Sequence, residues 1–150
     1  MRIKSQIFYL TISAYFLVFS LAGCGGDSAD DLSANIVPSE HFNEFLVRDL
    51  RSYFNLPARS PKSVGQEFIK GNEDAVKSSN GLPRYYLWVF VYEGNKVVSE
   101  GFAEVDSVSK TRFTVRTFIS KDAIKKDPRA IEEAYGTSLG ADIIDRANRH

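Results

Sequence analysis

The stretch RYYLWVFVYEGNKVVSEGFAEVD, residues 84–106, decides how the chain folds. Two runs rich in aromatic and β-branched side chains flank Gly94-Asn95, a pair of residues suited to the tight turn of a β-hairpin. With those two residues at the turn, Tyr92 is expected opposite Val97, Phe90 opposite Ser99, Trp88 opposite Gly101 and Tyr86 opposite Ala103. Large rings then meet small side chains across the strands. A third strand-like run covers residues 111–119. Aligning Ser107 with Thr111 puts Val105 by Phe113, Ala103 by Val115 and Asp106 by Arg112, whereas a slip of one residue mixes apolar with charged side chains. The expectation is a three-stranded antiparallel meander.

One face of that sheet carries Tyr86, Trp88, Phe90, Val97, Ala103, Val105, Phe113, Val115 and Ile119. The other is mixed, with Leu87, Val89, Val91, Val98 and Phe102 beside Glu100, Glu104, Arg112 and Arg116, and it needs partial cover. Upstream, Phe42, Phe45, Leu46, Leu50, Tyr53 and Phe54 recur at helical spacing. This predicts an amphipathic helix over 39–55, capped by Ser39 and packed on the apolar sheet face. Downstream, Ser120 and Asp127-Pro128 are helix starts and Gly136 a stop, so one or two helices follow, the last over about 138–147. Residues 56–83 are punctuated by Pro and Gly, with a short strand expected at 64–69 and a helical turn at 72–77. The class is α+β: helix, meander, helices.

Before the body, Arg2 and Lys4 precede an apolar run over 7–22, which ends in small residues. Charged, apolar, small is the order of a secretory leader, and the run is short for a membrane span. The chain's one cysteine, Cys24, stands at its edge, so no disulfide forms within the chain and a domain of this size must fold by packing alone.

Leu21-Ala22-Gly23-Cys24 resembles the lipobox of bacterial lipoproteins. The resemblance implies cleavage between Gly23 and Cys24, with a diacylglycerol on the Cys24 thiol. The two or three chains of such an anchor hold a protein stably on a bilayer, where one chain binds only reversibly. Gly25, in place of the Asp that retains enteric lipoproteins at the inner membrane, implies an outer-membrane address facing the periplasm. Residues 24–38 are small and acidic and read as a tether of roughly 20 Å, leaving 39–150 as one domain.

Lys plus Arg and Asp plus Glu are equal in number at 19 each, and losing the leader removes Arg2 and Lys4 but no acid. That balance offers no electrostatic footprint for nucleic acid. His41 and His150 have neither a cysteine nor a second histidine nearby, so no metal or cofactor site is expected. No nucleophile elbow or phosphate-cradling glycine loop occurs. Lys121, Lys125, Lys126 and Arg129 form a basic cluster that reads as a solvated helix face. Glu100, Glu104 and Asp106 share a strand face, and cross-strand pairing with Arg112 and Arg116 is the expectation.

The leading functional expectation is a non-enzymatic module for an envelope protein or cell-wall partner. Its surface would be the mixed sheet face with Glu100, Glu104, Arg112 and Arg116, or the 56–83 loop. A carrier of a small apolar ligand between helix and sheet is a second reading. A hydrolase using Glu100 and Glu104 as an acid and base pair is a third.

Overall fold

A computed structural model describes residues 34–69 and 74–149. The leader, residues 24–33 of the tether, residues 70–73 with the start of the expected helical turn, and His150 lie outside the described residues. The order is α1 (Ser39–Tyr53), β1 (Lys62–Phe68), β2 (Val76–Lys77), β3 (Pro83–Glu93), β4 (Lys96–Ser109), β5 (Arg112–Ser120), α2 (Lys121–Lys126) and α3 (Pro128–Asn148). The class is α+β with an antiparallel sheet, as the sequence predicts, but the sheet is larger than a three-stranded meander. Its order is β1-β3-β4-β5, with β2 also paired to β3. The edge beside β3 is thus one strand in two pieces, β1 against Leu87–Glu93 and β2 against Pro83–Arg84. The 64–69 expectation corresponds to β1. Val76 and Lys77 are extended instead of helical, because β3 begins early enough, at Pro83, to offer them a partner.

The turn at Gly94-Asn95 forms, and Tyr92 faces Val97 as expected. Beyond it the register moves by one, because a bulge at Val98 lets Val91 face Ser99. Phe90 therefore faces Glu100, Trp88 faces Phe102, Tyr86 faces Glu104 and Leu87 faces Ala103. In the second hairpin Val105 pairs with Val115 and Ser107 with Phe113, while a further bulge at Arg116 sets Glu104 against Thr117 and Phe102 against Ile119. The expected pairs Val105 with Phe113, Ala103 with Val115 and Asp106 with Arg112 do not occur.

These bulges exchange the faces. One side, against α1, carries Tyr85, Leu87, Val89, Ala103, Val105 and Phe113, packed with Leu46, Leu50 and Val37. The other carries Trp88 and Phe102, packed with Ile124, Ile131, Ile143 and Ala147 of α2 and α3. Trp88, Tyr86 and Phe90 thus lie under the C-terminal helices and not under α1. The sheet is a partition between two cores.

α1 shows the predicted stripe, with Leu46 and Leu50 fully buried and Phe42 edge-on to Tyr85 and Phe113. Each buried leucine contributes about 1.5–3 kcal/mol relative to exposure. Tyr53, predicted inside, is exposed. Ser39 is the first helical residue and not the cap. Pro38 occupies the cap position with its fixed φ, and its carbonyl accepts from the His41 amide at 3.0 Å. The side chains of Ser120 and Asp127 cap α2 and α3 as predicted, accepting from the Ala123 and Ala130 amides. Gly136 (φ 75°, ψ 172°) breaks α3 into two helical halves. The folded body also begins earlier than residue 39. Val37 is buried, and the Ser107 hydroxyl donates to the Asn35 carbonyl, which moves the tether boundary back to about residue 35.

Candidate functional site

The three carboxylates singled out in the sequence, Glu100, Glu104 and Asp106, collect on the sheet face beneath α2 and α3, and the register decides their partners. Arg84 starts β3 opposite Asp106. Its Nε donates to Asp106 Oδ1 at 2.7 Å and its Nη2 to Oδ2 at 3.1 Å, while Nη1 lies 2.9 Å from Glu104 Oε2. This two-point grip leaves Asp106 with no solvent exposure, and Arg116 adds a longer contact at 3.7 Å. The Asp106 hydrogen bond, against the opposing effect of desolvation, holds the Arg84 guanidinium above its ordinary value. Tyr135 from α3 completes this end. Burial, then the nearby Glu104 carboxylate, pushes its phenol well up.

Glu100 belongs to a second group. Trp88 Nε1 donates to its Oε2 at 2.9 Å and Lys121 Nζ to its Oε1 at 2.8 Å. Lys121 also donates to the Arg149 carbonyl at 3.0 Å, joining the start of α2, the middle of β4 and the end of α3. Burial works to raise the Glu100 carboxyl, but the bonds from Lys121 and Trp88 outweigh it and hold the group below its ordinary value. Arg146 covers the outside of this group, its guanidinium 5.8 Å from the Trp88 ring centre and 5.4 Å from that of Phe90.

Of the four residues expected to share a polar surface, Glu100 and Glu104 are largely covered and Arg116 is half exposed. Arg112 is exposed opposite Ser109, away from the carboxylates. The anticipated pairing of Glu100, Glu104 and Asp106 with Arg112 and Arg116 reduces to the long Arg116–Asp106 contact. Arg84, Lys121 and Trp88 take the other places. A bulge is invisible to alternation counting, so Arg84 could be found only once the register was known.

Glu100 and Glu104 stand four residues apart on β4, a backbone separation of about 13 Å. Phe102 sits between them with the Tyr135 ring edge-on at 4.9 Å. Paired carboxylates that cleave a sugar bond stand roughly 5–9.5 Å apart across an open gap. Here each faces a cation of its own. His41 is exposed at the start of α1, 3.4 Å from Glu44 and stacked on Phe45. Lys121, Lys125 and Lys126 lie on α2, where Lys125 and Lys126 face solvent. Among the described residues no cluster of His, Cys, Asp and Glu is arranged to hold a metal ion, and no helix is long and apolar enough to cross a membrane. All buried side-chain nitrogen and oxygen atoms among them have hydrogen-bond partners. The chain matches no protein-family model, no curated protein and no solved structure.

Proposed function

We propose that the chain is a lipid-anchored envelope protein. It is exported by its leader, cut before Cys24, acylated there and held at the periplasmic face of the outer membrane. The folded body serves as a binding or accessory module for a protein or cell-wall partner and performs no catalysis of its own. The observation that carries this reading is the leader itself, Arg2 and Lys4, an apolar run, then Leu21-Ala22-Gly23-Cys24 with the chain's one thiol at the cut. The first buried side chain among the described residues is Val37, thirteen residues after Cys24.

Two features of the body support binding over catalysis or carriage. The carboxylates suited to acid and base work are held by Lys121 and Arg84. The space between α1 and the sheet is filled by Phe42, Leu46, Leu50, Tyr85, Leu87 and Phe113, which leaves a ligand to the outer surface.

The test is Cys24→Ala in cells, read by membrane fractionation and by the mass of the mature N-terminus. The parent protein is expected in the membrane fraction with acyl chains on the Cys24 sulfur, and the variant is expected to lose both normal processing and membrane retention. A variant of normal size that stays in the membrane, or an unmodified sulfur in the parent, overturns the reading. Crosslinking in cells, followed by identification of what is captured, then names the partner.

A further inference from the structure

An apolar groove of about 390 Å³ opens where the N-terminal segment joins the body, walled by Ile36, Val37, Phe42, Phe68, Ala75 and Tyr85. Ile36 is 41% exposed and Phe68 37%, so two large apolar side chains meet water in one concavity. Among the described residues its rim carries Ser39 and Asn43 on α1 and one acid, Asp74. Apolar surface gathered in this way marks a contact with another apolar phase.

We infer that this groove lies against the lipid bilayer, its apolar wall seated at the boundary between headgroups and acyl chains in the leaflet that holds the anchor. The inference rests on the acylation of Cys24 proposed above. The groove's place beside the first described residues carries the argument. The twelve residues from Cys24 to Asn35 span at most about 40 Å even when fully extended. A body of this size is roughly 35 Å across. The N-terminal end of the described body is held by the Ser107 bond to the Asn35 carbonyl and by buried Val37, and Ile36 of the groove lies between them. The groove is therefore the part of the described surface tied most closely to the lipid.

The charge pattern selects the mode of contact. The basic residues of α2 start after Ser120, which pairs with Gly101 on β4. Asn35 is held at Ser107, six residues along the same strand, or about 20 Å away. None of the described residues that line the groove is basic. Contact is by apolar seating among zwitterionic headgroups, not by attraction of lysines to anionic ones, and salt has little influence on it.

The test uses the full acylated protein reconstituted in phosphatidylethanolamine and phosphatidylglycerol vesicles. Acylation blocks the sulfur of Cys24, so an introduced thiol is the one free site for an environment-sensitive fluorophore. Ser39→Cys places it on the groove rim, and Val98→Cys places it at the hairpin end, nine residues from Ser107 along β4. Both positions are exposed, so the fold tolerates the label. Flotation with vesicles is scored first. Among floating protein, the label at 39 is expected to shift to the blue and to be quenched several-fold more by quencher-bearing lipid than the label at 98. Raising the salt or removing phosphatidylglycerol leaves that ratio unchanged, and adding Ile36→Asp lowers it while flotation persists. Equal quenching at 39 and 98 overturns the docking and leaves the anchor standing, as does a blue shift at 39 without lipid quenching, which means that a second copy or another segment covers the groove. Failure to float removes the anchor and the docking together.

Discussion

Trp88 and Glu100 form a diagonal pair across β3 and β4, the buried indole Nε1 donating to Glu100 Oε2 at 2.9 Å while Lys121 holds the other oxygen. The chain has one tryptophan, so its emission reports on this one site. Glu100→Leu strands the indole N–H and the Lys121 ammonium and is expected to destabilise by about 1–3 kcal/mol. Glu100→Gln keeps an acceptor for the indole and is expected to lose less. Urea unfolding followed by tryptophan emission checks the order of the two variants.

The depressed Glu100 carboxyl also sets a pH window. A carboxylate whose folded value lies below its ordinary 4.5 contributes stability that is fully present above that value and is lost as pH falls through the folded one. The parent protein is therefore expected to lose more stability on acidification below about 4.5 than Glu100→Gln does. Parallel unfolding curves across that range would show the link to be absent.

Asp106 has no exposed surface and is gripped at two points by Arg84. Removing Asp106 takes away two charge-assisted hydrogen bonds but leaves Arg84 paired with Glu104, so Asp106→Ala is expected to cost about 1–3 kcal/mol. The paired replacement Arg84→Met with Asp106→Leu removes this pair but leaves the largely covered Glu104 without its cation, so it is expected to recover only part of that loss. A double-mutant cycle on unfolding free energies measures the coupling.

Tyr135 titrates at the other extreme. Its folded value is raised above the ordinary 10.0 by burial first and then by Glu104, so its contribution is intact below 10.0 and is lost as pH rises towards the folded value. Tyr135→Phe is expected to flatten the alkaline limb of the stability profile. Thermal unfolding on either side of pH 10 tests it.

Two glycines are fixed by geometry. A Cβ on Gly101 would fall on the Ile119 carbonyl oxygen and lie 2.8 Å from the Ser120 Cα, both backbone atoms of β5. Gly101→Ala is expected to cost at least about 1–3 kcal/mol as the strands separate. Gly136 meets no such crowding, but its φ of 75° with ψ of 172° is a region reserved for glycine, so Gly136→Ala is expected to cost about 1–3 kcal/mol by straightening or straining the break in α3. Chemical denaturation of each variant compares steric crowding with backbone strain.

The elements legible in the sequence were those with a local signature. The stripe from Phe42 to Phe54, the Gly94-Asn95 turn, the caps at Ser120 and Asp127 and the break at Gly136 each depend on near neighbours in the chain. What escaped depends on distant partners. A single extra residue at Val98 inverts which rings face which helix, and nothing in the alternation of residues 84–106 marks it. β2 is two residues long and exists because Pro83 and Arg84 are there to pair with it. The ionic groups around Glu100 and Glu104 followed the same rule. Their acids were visible as a cluster, but Arg84, Lys121 and Tyr135 come from three other elements, brought to them by the bulges and the cover of α2 and α3.

The bond from Ser107 to Asn35 fastens the N-terminal segment to β4, which has a neighbour on both sides. Tension applied through that segment enters the sheet at an interior strand, where it must shear several cross-strand hydrogen bonds together. An attachment to β1 would let the same pull unzip the edge one bond at a time.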